Sequence, residues 1–325
     1  MTYYRSIRTL AVSLLLATVA TAPGLAQAVE TSRSTNFPKV QIKVNSPQDG
    51  PITPDDQLTL REAIAITNGT LTLADLSSTE QQQITPSSDS SVITFDLPAG
   101  STTIKLQSLL PVLAQPGLTI DGTTQPGYDP TKSATAEILV AVPVVEITPA
   151  DNAKVFRGLT LVADDITIRG LSLYGFTSEH RATESTPPAD IFIAHELPPP
   201  EISQQYIPAS DFSFHDEDQP PKGIVIEQNW IGIPTDDKIP EQRSAFGVSV
   251  FNAQGVKLQQ NRIAYHDGSG VITGARAENF EIVENLIVNN GLAGIPDAIR
   301  LEGRIDNSLI TGNLMSGNDG SGINM

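Results

Sequence analysis

Asn229-Trp230-Ile231, Asn261-Arg262-Ile263, Asn285-Leu286-Ile287 and Asn313-Leu314-Met315 share one frame. Each follows a short β-type run: Ile224-Val225-Ile226, Val256-Lys257-Leu258, Phe280-Glu281-Ile282 and Ser308-Leu309-Ile310. Successive Asn residues are 32, 24 and 28 positions apart. Gly247-Val248, Gly270-Val271, Ala298-Ile299 and Gly322-Ile323 recur beside them at steps of 23, 28 and 24. Two features on one period near 24 residues mark a solenoid. The reading is an all-β, right-handed parallel β-helix with about three short strands per coil, stacked at about 4.8 Å. Inward Val, Ile, Leu and Phe form columns along the axis. Asn229, Asn261, Asn285 and Asn313 are expected at the bend, bonded coil to coil as a structural ladder, because Asn tolerates unusual backbone angles.

Outward from this block, period-two runs continue toward the N-terminus: Val92 to Phe95, Thr102 to Leu106 and Leu118 to Ile120, with Gly or Pro between them. Residues 77–91 read as a loop. Leu60, Ala63, Ile64 and Thr67 fall at helical spacing, which predicts a capping helix over 58–68 with Asp55 or Asp56 as N-cap and Asn68-Gly69 as stop. Residues 29–57 read as an extended lead-in. Residues 177–222 carry eight Pro and nine Asp or Glu, and three of the four His of the chain. Such a segment is expected to leave the coil as an exposed, irregular insertion loop over one face. The β-helix domain is therefore placed at 58–325.

Arg5 and Arg8 precede an apolar run from Leu10 to Ala20, and Ala26-Gln27-Ala28 supplies small residues for cleavage. This pattern predicts a secretory signal peptide over 1–28, hence an exported protein, extracellular or outer-surface associated, with the periplasm as alternative. The run is too short to span a bilayer, and no later stretch is long enough, so no transmembrane span is expected after cleavage. The chain has 325 residues, 37 acids, 20 Lys plus Arg and a formal charge of −17. Removing the signal leaves 18 bases against 37 acids, a charge of −19. That argues against nucleic acid as a partner, because phosphate binding needs a basic face. With no Cys, disulfides, thiol nucleophiles and cysteine zinc sites are excluded.

Leu58-Thr59-Leu60-Arg61-Glu62-Ala63-Ile64 resembles the Cys-Ser-Leu-Arg-Glu-Ala (CSLREA) motif that opens many exported bacterial β-helix proteins, with Leu58 in place of the Cys. Thr119-Ile120-Asp121-Gly122-Thr123-Thr124-Gln125-Pro126-Gly127-Tyr128, Ile166 to Leu171 and Asn229-Trp230-Ile231-Gly232 are similar to later landmarks of those proteins. The resemblance implies a β-helix with a helical N-terminal cap on a secreted or surface protein. It implies no agreed catalytic residues.

Residues that could carry chemistry are few. Arg300, flanked by Asp297 and Glu302, is the candidate for lyase chemistry, and a surface ion pair is the plainer reading. His266-Asp267 lies at a turn and lacks a nucleophile for acid–base work. Asp164-Asp165 and Asp236-Asp237 are paired acids, but turns favour Asp for backbone reasons. Trp230 and Arg262 occupy the same place in successive coils. They form a ligand-binding patch if that row faces out, and packing beneath the insertion if it does not. His215, Asp216 and Asp218, with His180 and His195 nearby in sequence, are candidate metal ligands or simply a solvated acidic loop.

The expected function is an exported module for surface interaction or adhesion on carbohydrate or a cell envelope. The alternative is a polysaccharide lyase or glycoside hydrolase of pectin-lyase-like fold. No cofactor is expected, calcium being the one candidate. The chain stops at Gly322-Ile323, as another coil starts, so that end is expected to be continued by further coils or covered by a partner.

Overall fold

The computed structural model describes residues 38–177, 187–195 and 217–325. The expected signal peptide, His180, His215 and Asp216 lie outside the described residues. The chain forms three stacked parallel sheets, so the fold is the parallel β-helix that the repeat predicts. The first sheet runs from Val40–Val44 through Val92–Phe95, Thr119–Asp121, Thr167–Arg169, Val225–Glu227, Lys257–Gln259 and Glu281–Val283 to Leu309–Thr311. The second runs from Thr103–Leu106 to Leu314–Ser316, and the third from Arg157–Leu161 to Ile323–Asn324.

Register turns the sequence periodicity into packing. Ile42, Ile93, Ile120, Ile168, Ile226, Leu258, Ile282 and Ile310 are in-register partners in the first sheet. Ile104, Ile147, Leu173, Ile231, Ile263, Ile287 and Met315 align in the second. Leu159, Ile191, Val248, Val271, Ile299 and Ile323 align in the third. The three aliphatic columns face one core, and each fully buried rung contributes about 1.5–3 kcal/mol by removal from water.

The Asn ladder forms at the corner between the first and second sheets. Nδ2 of Asn229, Asn261 and Asn285 donates to Oδ1 of the next Asn at 3.1, 3.0 and 2.9 Å. The same oxygens accept the backbone N–H of the preceding Asn at 3.0, 2.9 and 2.8 Å. Nδ2 of Asn261 and Asn285 also donates to the carbonyls of Ile226 and Leu258 in the coil before. The residue ahead of each Asn is left-handed: Gln228, Gln260, Glu284 and Gly312 have φ of 56°, 51°, 53° and 66°. This reverses the chain within one residue and aims the amide inward. Three of the four are not glycine, so the ladder has to outweigh the left-handed strain.

A second ladder at the next corner obeys the same local rule. Asn290 donates to Asn318 Oδ1 at 2.9 Å, after left-handed Asn289 and Gly317. The cue in the sequence is a five-residue echo of the first ladder, Asn285 to Asn290 and Asn313 to Asn318, which the period-24 reading passed over.

Four expectations need correction. The helix is Leu60–Thr67, and its N-cap is Thr59, not Asp55 or Asp56. Glu62 decides this, because its carboxylate reaches back to the Thr59 N–H at 2.9 Å and closes a capping box. The lead-in is not simply extended, since Val40–Val44 is the first parallel rung, with Val40, Ile42 and Val44 inward. The 77–91 loop contains a helical turn, Ser78–Gln81, and an antiparallel strand, Ile84–Pro86. Within 177–222, Ala189–Ile193 is a fully buried strand between Arg157–Leu161 and Val248–Gln254. A Pro count over 46 residues concealed five Pro-free positions that place Ile191 and Ile193 in the core.

Arg61 fastens the cap to the solenoid. It forms a two-point ion pair with Asp49, Nε at 2.7 Å and Nη2 at 2.8 Å, and donates to the carbonyls of Leu109 and Ser108. Leu58, in the motif's Cys position, is completely buried. In the last coil, Leu309, Ile323 and Met325 are exposed.

Replacing Asn285 by Ala removes the acceptor of the Asn261 N–H and of one of its two Nδ2 protons, and the donor to the Leu258 carbonyl. The expected loss is about 1–3 kcal/mol, read as a lower urea midpoint with unchanged slope. A neutral substitution would refute the ladder as a stabilising element.

Candidate functional site

The third sheet carries a polar cluster on elements the sequence reading treated separately. His195 follows the strand Ala189–Ile193. Asn252 and Arg276 are register partners on Val248–Gln254 and Val271–Glu278, just past an irregularity at Val250/Asn252. Asp218 approaches from the far end of the insertion. Arg276 Nε donates to Asn252 Oδ1 at 2.8 Å, Asn252 Nδ2 lies 2.9 Å from His195 Nδ1, and His195 Nε2 lies 3.3 Å from Asp218 Oδ2. Arg276 Nη2 also donates to the Asp218 carbonyl at 2.7 Å.

These contacts fix the protons. A guanidinium only donates, so the Asn252 oxygen must face Arg276 and its NH2 must face His195. His195 Nδ1 therefore accepts, and the ring proton sits on Nε2, directed at Asp218. The cluster borders a cleft of about 570 Å³ lined by Asp164, His195, Glu217, Asp218 and Lys222 among others. Three carboxylates against one Lys make the cleft wall acidic.

The other candidate residues are brought elsewhere. His266 is fully buried and occupies a rung of the second ladder, after left-handed Tyr265. Its Nδ1 lies 2.7 Å from Asn290 Oδ1 and its Nε2 2.8 Å from Asp190 Oδ2. Asn290 Nδ2 is committed to the Ile263 carbonyl and to Asn318, so Nδ1 must donate. One proton lies between Nε2 and Asp190 Oδ2, and its place on Asp190 follows from the carboxyl's environment. Burial drives this by pushing the Asp190 carboxyl above the usual carboxylate range, against the hydrogen bonds from His266 and Ser244. Ser244 Oγ donates to the other oxygen of Asp190 and accepts the Phe176 N–H. The imidazole also needs Gly232, where an added Cβ would lie 2.4 Å from His266 Cε1. The His266 side chain is thus a core strut without solvent access, and Asp267 is paired with Arg243 at 2.8 Å. Acid–base work by His266-Asp267 is not what this geometry provides.

Arg300 is closed onto its neighbours, with Nε 2.6 Å from Glu302 and Nη1 3.4 Å from Asp297. Asp297 itself accepts the Ser321 N–H. The ion-pair reading therefore describes this trio. Asp237 is left-handed and bonds Arg262, while Asp236 bonds Lys238, so that acid pair serves its turn. Trp230 and Arg262 face outward but are covered, Trp230 completely. Among the described residues, Ile138, Val140 and Val142 pack over them. Among the described residues no three His, Asp or Glu side chains are grouped for a metal, and Asp218 is engaged by His195.

The sequence missed Asn252 and Arg276, which carry no motif and meet only through register. It also missed Asp190, hidden in the Pro-rich segment.

Asp190 yields a signed pH prediction. A raised folded-state value means that the native state keeps a proton the unfolded chain releases above about pH 4. The stability Asp190 contributes is complete below that pH and is lost as pH rises toward the folded value. Asp190→Asn mimics the neutral acid at every pH. Its urea midpoint relative to the parent should therefore rise with pH above 4. A relative midpoint that falls with pH would indicate an ionised His266–Asp190 pair and reverse the proton assignment.

No family model matches the chain, and no curated protein matches it. Among solved structures it is similar to the A-modules of the Azotobacter vinelandii mannuronan C-5 epimerases AlgE6 and AlgE4, each 13% identical. The AlgE6 alignment covers 88% of this chain and 86% of that one, with a TM-score of 0.35. The AlgE4 alignment covers 88% of both chains, with a TM-score of 0.34.

Proposed function

We propose that this chain is an exported β-helix module that binds a carbohydrate of the cell envelope or its surroundings in the cleft beside His195, without cleaving it. One observation supports this reading. The ionisable groups nominated for catalysis, Arg300, His266 and Asp267, are tied to partners away from any cleft, whereas Asp164, Glu217, Asp218 and Lys222 line one, although Asp218 also pairs with His195. Carboxylates at a cleft wall accept hydrogen bonds from sugar hydroxyls. The chain's charge of −17 favours neutral glycans over polyanionic ones, which its field repels.

A second reading, polysaccharide cleavage, is favoured by the His195–Asp218 contact, in which a ring with a fixed proton position holds a carboxylate at the cleft. Calorimetric titration with neutral and acidic polysaccharides, with and without calcium, separates the two when paired with product analysis. The expected outcome is saturable binding to a neutral glycan, weakened about tenfold by Asp218→Asn, with no new reducing ends or unsaturated products. Product formation that Asp218→Asn abolishes would replace the binding reading with the enzymatic one. Binding of neither class would remove both.

A further inference from the structure

Trp230 and Arg262 are register partners on the outer face of the second sheet. The guanidinium carbon stands 4.6 Å from the centroid of the indole ring. Arg262 Nη2 donates to Asp237 at 2.6 Å. Arg262 Nε and Nη1 and Trp230 Nε1 are buried and have no hydrogen-bond acceptor among the described residues. The Arg262 side chain is only 8% exposed. A guanidinium so deeply buried normally has its N–H groups satisfied, because each unmet donor is costly out of water.

The cover is detachable in construction. Residues 129–142 form a hairpin, with an antiparallel bridge between Ser133 and Ala141 and the Val142 N–H donating to the Lys132 carbonyl at 2.9 Å. Thr131, Lys132, Thr135 and Val140 likewise bond only to acceptors within 129–142. The hairpin meets the sheet through apolar contact alone: Val140, with Ile138 and Val142, packs on Trp230, Ile233 and Ala264. At its tip Leu139 is 71% exposed.

We propose that Trp230 and Arg262 form a closed binding site for a small oxyanion, gated by the hairpin of residues 129–142. The ligand class follows from the donors. Arginine and indole N–H groups only donate, so the occupant must present acceptors without donors of its own. Carboxylate and sulfate do so, whereas a sugar hydroxyl would bring a further donor to N–H groups that need acceptors. Asp237 meets only Nη2 of Arg262, which leaves the Nε and Nη1 donors for an added acceptor, and the chain's acidic field selects a small ion over a polyanion. This site is separate from the His195 cleft, and the proposal does not rest on it.

Trp230 is the only Trp in the chain, so intrinsic fluorescence reads this site directly. The purified protein is titrated with sodium acetate, sodium formate and sodium sulfate, with sodium chloride at matched ionic strength as reference. The expected result is a saturable change with at least one oxyanion, and the strongest ligand separates carboxylate from sulfate. Arg262→Gln should weaken it about tenfold or more. Val140→Gly, which loosens the hairpin without touching a donor, should speed the response. No response in either the parent or Val140→Gly, an equal response to chloride, or an undiminished response in Arg262→Gln would each overturn the proposal.

Discussion

From Asn229 onward, each coil is held to the next by a side-chain oxygen that accepts twice. In Asn261, Asn285 and Asn313, Oδ1 takes both the N–H and the Nδ2–H of the preceding Asn. That double acceptance closes the corner that a left-handed residue opens, and it satisfies amide groups that would otherwise be buried unpaired. The aliphatic columns supply most of the favourable free energy, but hydrophobic contact is non-directional and sets no register. The ladder sets it, because a one-residue slip would misalign every Oδ1 with its donors and turn each inward Ile to solvent.

Much of this was legible in the sequence. The recurring Asn, the Val/Ile frame and the capping helix all follow short-range rules, so their spacing predicts them. What stayed hidden was what register alone creates. Asn252 and Arg276 are 24 residues apart and carry no motif, yet they are lateral neighbours in the third sheet. The strand Ala189–Ile193 was masked by composition, because a Pro average over the insertion ignores a short run that the existing sheet can template. His266 read as a turn histidine because its ladder partner, Asn290, was not recognised as a rung.

The two described histidines show how a side chain's chemistry is set by the amide beside it. His195 faces an Asn NH2 and carries its proton on Nε2. His266 faces an Asn oxygen and carries it on Nδ1. In each case the amide orientation is dictated one step further away, by Arg276 in one network and by the Ile263 carbonyl and Asn318 in the other. The first ring lies against a cleft and can act on its surroundings. The second lies in the core, where neutrality is the less costly state.

The spacing between columns separates what can vary from what cannot. From Ile168 onward the inward residues across the ladder corner are five apart: Ile168 to Leu173, Ile226 to Ile231, Leu258 to Ile263, Ile282 to Ile287 and Ile310 to Met315. Between the second and third sheets the span ranges from eight residues, Ile263 to Val271, to 18, Leu173 to Ile191. The acidic insertion emerges away from this five-residue corner, whereas the hairpin leaves between the first and second sheets in an earlier coil, between Ile120 and Ile147, ahead of the ladder. From Ile168 onward the solenoid is thus a chassis with one sealed edge and two open ones. New segments can be grafted at the open edges without retuning the spine, and those are the edges along which such a protein can acquire or exchange its binding surfaces.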